Sequence, residues 1–150
     1  MKEQINILVA DRNSNIRNLL RRELESEGYQ VKSAANGAEL MIMVGRDDCL
    51  DLLLIDPDLP LGDGMAILER LNNRVPELPI IIHSAQSAYS RHPDLNFVKA
   101  FIEKGENLDL LKKTIADLIR SNQTRRTVPA EKGIQGNRPR TRGNNIRDRR

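Results

Sequence analysis

The stretch LLLIDPDLPLGDG, residues 52–64, decides the fold. Four apolar residues run without a polar interruption and end on Asp56. Pro57 follows, and Asp58 and Asp63 make the next turn acidic. An apolar run without alternation reads as a strand covered on both faces, which is the hallmark of a parallel sheet with helices on either side. Asp63-Gly64 reads as the start of a helix that continues through Ile67, Leu68 and Leu71.

The same grammar recurs on both sides of this stretch. INILVA (5–10) is an apolar run that ends at Asp11, and a polar segment with capping residues follows. Ile16, Leu19, Leu20 and Leu24 then recur at helical spacing until Gly28. YQVKSA (29–34) reads as a strand, Asn36-Gly37 as a turn and 38–46 as a helix. LPIIIH (78–83) and VKAFIE (98–103) read as further strands. Residues 85–96 have no clear apolar face, so a short or irregular helix is expected there. Asn107 is expected to cap a last helix with Leu108, Leu111, Ile115, Leu118 and Ile119 on one face. Five β-α units with short connections predict an α/β fold with a doubly wound parallel sheet.

Composition narrows the classes. There is no Trp, and two Phe and two Tyr in 150 residues leave an aliphatic core. Cys49 is the only cysteine, which rules out an internal disulfide and fits a reducing, cytoplasmic setting. It is read as a small buried residue. The N-terminus is too short and polar for a secretory signal, and no apolar run reaches membrane-span length. Residues 1–120 carry 15 Lys and Arg against 19 Asp and Glu, a net −4. Residues 121–150 carry 9 against 2, a net +7, with few large aliphatics. The expected organisation is therefore a domain at 1–120 and a basic, disordered segment at 121–150.

In a parallel sheet the C-terminal ends of the strands share one edge, where sites of such folds form. That edge would gather Asp11, Asp56, Ser84 and Lys104 from four separate segments. Two carboxylates brought together need a cation between them or a proton on one. Hard oxygen donors suit Mg²⁺, and a lysine and a hydroxyl beside a carboxylate nucleophile suit a phosphoryl group. His83 and His92 have no acid or cysteine at ligand spacing and read as structural.

At INILVAD, LLLIDPDLPLGDG, PIIIHSA and FIEK, in this order, the chain resembles the receiver domain of two-component response regulators over residues 4–120. The resemblance implies a flavodoxin-like five-stranded sheet of order 2-1-3-4-5. It implies that Asp56 is the phosphoacceptor, that Asp11 binds Mg²⁺, and that the main-chain carbonyl of Asp58 completes the protein ligands. It also implies that Ser84 moves to meet the phosphoryl group, that Lys104 pairs with it and that Phe101 responds to Ser84. Ala10 stands where the family has a second acid, and the side chain of Asp58 is one candidate to replace that charge. Gly105 stands where the family has a proline after the lysine.

The function so implied is a phosphoacceptor switch rather than a dedicated enzyme. A histidine kinase or phosphotransfer protein would supply the phosphoryl group, an output protein would read the result, and a homodimer is left open. Two other readings stay in play. One is a degenerate receiver that binds partners without phosphorylation. The other is a nucleic-acid-associated protein whose basic segment makes unspecific polyanion contacts.

Overall fold

A computed structural model of the chain describes residues 4–46, 49–74, 77–105 and 108–127. Among the described residues five strands form one parallel sheet: β1 (Asn6–Ala10), β2 (Gln30–Ala34), β3 (Leu52–Ile55), β4 (Ile80–Ser84) and β5 (Ala100–Glu103). Their order is β2-β1-β3-β4-β5. Among the described residues three α-helices join successive strands, α1 (Ser14–Glu25), α2 (Gly37–Arg46) and α3 (Gly64–Asn72), and a fourth, α4 (Leu108–Thr127), follows β5. The connection from β4 to β5 carries two short 3-10 turns, Ser87–Arg91 and Pro93–Leu95, as its missing apolar periodicity predicts.

Strands β1 and β3 bury nearly every side chain, which explains their unbroken apolar runs. Alternate residues face opposite sides. Leu8, Ala10, Leu53, Ile55, Ile80 and Ile82 join one core cluster with Leu40 and Val44 of α2 and Ile67, Leu68 and Leu71 of α3. The register pairs Ala10 with Ile55 and with Ala34, so the residues after β1 and β3 leave the sheet side by side.

Local chemistry sets the helix ends. The Asn13 side chain accepts from the N–H groups of Asn15 and Ile16 and starts α1. Asp63 does the same for α3 through Met65 and Ala66. Asn36 accepts from Glu39 N–H while the Glu39 carboxylate accepts from Ala35 N–H, a reciprocal cap on α2. Gly28, at φ +97°, turns the chain out of α1.

Three expectations need adjustment. Cys49 is exposed, because it precedes β3 in a turn rather than entering the core. Helix α4 continues past residue 120 to Thr127, since no Gly or Pro interrupts 121–127 and extending an existing helix costs little. A disordered segment beginning at 121 is therefore corrected for 121–127, and residues 128–150 lie outside the described residues. So does Asn107, the expected cap of α4. Residues 1–116 form one compact unit and a second begins at Asp117, where Arg120 pairs with Asp117 at 3.1 Å.

Candidate phosphoacceptor site

Among the described residues three acids are buried, and the fold sorts them. Asp51 precedes β3, at the N-terminal edge of the sheet, where its carboxylate accepts from Asn6 N–H at 2.8 Å. Asp11 and Asp56 follow β1 and β3 at the opposite edge, 1 % and 6 % exposed. Asp56 N–H donates to the Ala10 carbonyl at 2.9 Å, which ties the two strand ends together.

Each of these carboxylates is divided between two tasks. Asp11 Oδ1 accepts from Asn13 N–H at 2.9 Å, and Asp56 Oδ1 accepts from Asp58 N–H at 2.9 Å. These turns fix the two carboxylates. The other oxygens converge on a single cation. Lys104 Nζ lies 2.6 Å from Asp56 Oδ2 and 2.8 Å from Asp11 Oδ2. Two buried negative charges at this spacing require such a partner. Burial pushes the Lys104 ammonium down, but its hydrogen bonds to Asp11 and Asp56 outweigh that, and its pKa is raised overall.

Lys104 reaches this point although Gly105 replaces the family's proline. Its N–H donates to the Ser84 carbonyl at 3.0 Å, and Gly105, at φ +93°, turns the chain away immediately afterwards. Ser84 is fully buried at the end of β4, and its Oγ accepts from Gln86 N–H at 3.0 Å. The sheet edge thus gathers Asp11, Asp56, Ser84 and Lys104, as their positions after apolar runs predict. Phe101 lies apart from them, half-buried against the core, and lines a cleft of ≈220 Å³ with Ile82, Tyr89, Leu95 and Val98. A larger cleft of ≈530 Å³, between α2 and α3, shares no residue with this site.

Asp58 is used differently from the charge replacement considered above. Its carboxylate accepts from the Tyr89 hydroxyl at 2.9 Å and from Gln86 Nε2 at 2.8 Å. Burial and this hydrogen bond push the Tyr89 phenol up to about 12. Tyr89 and Gln86 escaped the sequence reading because the segment 85–96 has no periodicity to assign them a face. Arg17, whose Nη1 donates to the Asp11 carbonyl at 2.7 Å, was hidden among the other arginines of α1. His83 is buried on β4, and its Nδ1 has no hydrogen-bond partner among the described residues. Burial, helped by Lys104, holds its pKa below the ordinary histidine value against the pull of Asp11 and Asp56.

The family model for the response regulator receiver domain matches residues 7–119. This chain belongs to that family. Among curated relatives, response regulator MprA of Mycobacterium leprae (strain TN) is 36% identical over 84 residues, which cover 56% of this chain and 36% of that protein. The chain thus matches little more than a third of the length of such relatives. Among solved structures, the response regulator TrrA of Thermotoga maritima in complex with Mg²⁺-BeF is 30% identical at TM-score 0.71. That match covers 76% of this chain and 98% of TrrA. The complex of histidine kinase ThkA with TrrA matches at 30% identity and TM-score 0.69, over 76% of this chain and 97% of the matched one. A receiver domain is a module of two-component signalling, and the observed strand order is that of its fold.

The donor chemistry of this receiver domain fits a magnesium ion. Two hard carboxylates face one point that already holds a cationic group, and Mg²⁺ needs only one or two carboxylates because it keeps its waters. Among the described residues no cluster of three or more His, Cys, Asp or Glu side chains is arranged to hold a metal. Ala10, at the end of β1 beside Asp11, is buried in the apolar cluster and supplies no donor.

Proposed function

We propose that this receiver domain, placed at residues 1–120, is a phosphoacceptor switch whose acceptor is Asp56. The observation that carries the reading is the convergence of Asp11 and Asp56 on Lys104 Nζ, at 2.8 and 2.6 Å, at the C-terminal edge of the sheet. The donor is the phosphohistidine of a histidine kinase or phosphotransfer protein, and TrrA's complex with a kinase supports that partner class. An Asp56 carboxylate oxygen attacks phosphorus, the P–N bond breaks, and its electron pair returns to the imidazole nitrogen.

Asp11, Asp56 and the main-chain carbonyl of Asp58 would hold Mg²⁺. When bound, the ion neutralises charge on the transferring phosphoryl oxygens. Lys104, already at the acceptor oxygen, pairs with a phosphoryl oxygen and stabilises the product. Ser84 exchanges the Gln86 N–H contact for a hydrogen bond from its own hydroxyl to the phosphoryl group. The shift frees space beside the cleft lined by Phe101, which changes the β4–β5 face offered to an output protein. Incubation with acetyl phosphate and MgCl₂, followed by intact-mass measurement, tests this. The parent gains one phosphoryl group and Asp56→Asn gains none. An unchanged parent mass overturns the proposal.

One observation favours a second reading. Lys104 pairs with both acids, and the Asp58 carboxylate is held by Tyr89 and Gln86, so each of these carboxylates has a partner without a phosphoryl group. A domain of this kind would bind its partner constitutively, and Asp56→Asn would then leave partner binding unchanged.

A further inference from the structure

Leu61 is the one non-glycine residue with positive φ among the described residues, at 56°. L side chains crowd the backbone in that conformation, and glycine is its usual occupant. The residue is also 72 % exposed. A leucine here is thus unfavourable for the backbone and unfavourable for hydration.

Its surroundings show that the conformation is imposed. The loop 57–64 closes on itself, because a side chain on Gly64 would meet the Pro57 carbonyl oxygen at 2.0 Å. Gly37 N–H, at the start of α2, donates to the Pro60 carbonyl at 2.8 Å. A Cβ on Gly37 would lie 2.8 Å from the Leu61 carbonyl oxygen and 3.0 Å from Gly62 Cα. The backbone of 60–62 is therefore seated on the first turn of α2, and Asp63 fixes its exit by capping α3. The Leu61 side chain is left outside, with Pro60 and Asp63, on a loop that begins directly after Asp56.

That side chain is not part of the apolar cluster formed by the described residues. We infer that Leu61 is a docking contact for the protein that phosphorylates this domain, seated on an apolar surface flanking its phosphohistidine. The inference rests on the phosphoacceptor reading above. Geometry selects this partner, because a macromolecule bringing a phosphoryl group to Asp56 must cover the loop that leaves Asp56. A small donor such as acetyl phosphate reaches Asp56 without covering it.

That difference supplies the test. Second-order rates of phosphorylation are measured for the parent, Leu61→Gly, Leu61→Asn and Leu61→Met. One donor is acetyl phosphate. The other is the phosphorylated cytoplasmic portion of whichever histidine kinase of the source organism phosphorylates the parent fastest. The ratio of kinase rate to acetyl phosphate rate should fall roughly tenfold in Leu61→Gly and Leu61→Asn, the scale of losing one leucine contact. Leu61→Met keeps the apolar bulk and should restore most of the ratio. Thermal midpoints confirm folding, and Asn, which tolerates left-handed backbone, carries the comparison if the glycine variant does not fold. An unchanged ratio in both variants overturns the inference, as does an equal slowing with both donors. A parent phosphorylated by acetyl phosphate but by no kinase overturns it alone. A parent phosphorylated by neither overturns the phosphoacceptor reading with it.

Discussion

His83 shows how a single residue departs from what its neighbours in sequence suggest. It continues the apolar run Ile80–Ile82 and is buried, yet its Nδ1 has no hydrogen-bond partner among the described residues. An unsatisfied buried polar atom costs about 1–3 kcal/mol. His83→Leu should therefore be neutral to stabilising by about 1 kcal/mol at pH 8. The pH dependence has a definite sign. The folded pKa lies below the unfolded value, so this neutral imidazole supports folding above about 6.5, the ordinary value, and that support is lost as pH falls. Urea denaturation between pH 8 and pH 5 should show the parent losing more stability on acidification than the leucine variant. Parallel losses would contradict the neutral assignment. Asp11, Asp56, Ser84 and Lys104 were readable at this scale because each stands where an apolar run stops. Leu61 was not, since a backbone angle leaves no mark on composition.

Between β4 and β5 an element the fold usually fills with a helix is reduced to two 3-10 turns. The first of them is held to the β3 side by Tyr89 and Gln86, whose side chains both end on Asp58. The residues missing from the apolar periodicity of 85–96 are thus replaced by polar tethers to another segment. His92 serves the same segment, accepting from Asp94 N–H at 3.2 Å. Tyr89→Phe should remove a phenol that titrates at about 12. The sign follows from the raised value: the neutral phenol contributes stability below pH 10, and that contribution is lost between pH 10 and about 12. Absorbance titration at the phenolate band should show a high-pH component in the parent and not in Tyr89→Phe. Its persistence in the variant would break the assignment. The caps of α1 and α3 were legible beforehand, because Asn13 and Asp63 act on N–H groups two and three residues away.

Over the whole molecule, charge is distributed unevenly along the chain. Residues 128–150 alone carry 7 Lys and Arg against 2 acids, a net +5, and contain little aliphatic sequence. We propose that this segment makes unspecific, salt-sensitive contacts with polyanions. Ending the chain after Thr127 should leave the thermal midpoint nearly unchanged, because that truncation removes none of the core residues found among the described residues. Retention on double-stranded DNA at low salt should fall with the truncation, and the full chain's retention should decline steeply as salt is raised. Equal retention by both forms would remove the segment from the account. Among the described residues no helix is long and apolar enough to cross a membrane.

Burial on both faces forces unbroken Leu, Ile and Val, so the strands and the acids ending them could be read directly from the chain, as could helix caps that act over three residues. The strand order followed from resemblance to a family, since apolar runs alone do not say which run pairs with which. Distances across the site depend on the parallel register that sets Ala10 beside Ile55, and on a lysine 48 residues beyond Asp56 reaching back to it. The two tethers on Asp58 and the strained backbone at Leu61 arise in the same way. Each is a contact or a constraint between segments far apart in sequence, and no local pattern of side chains encodes it.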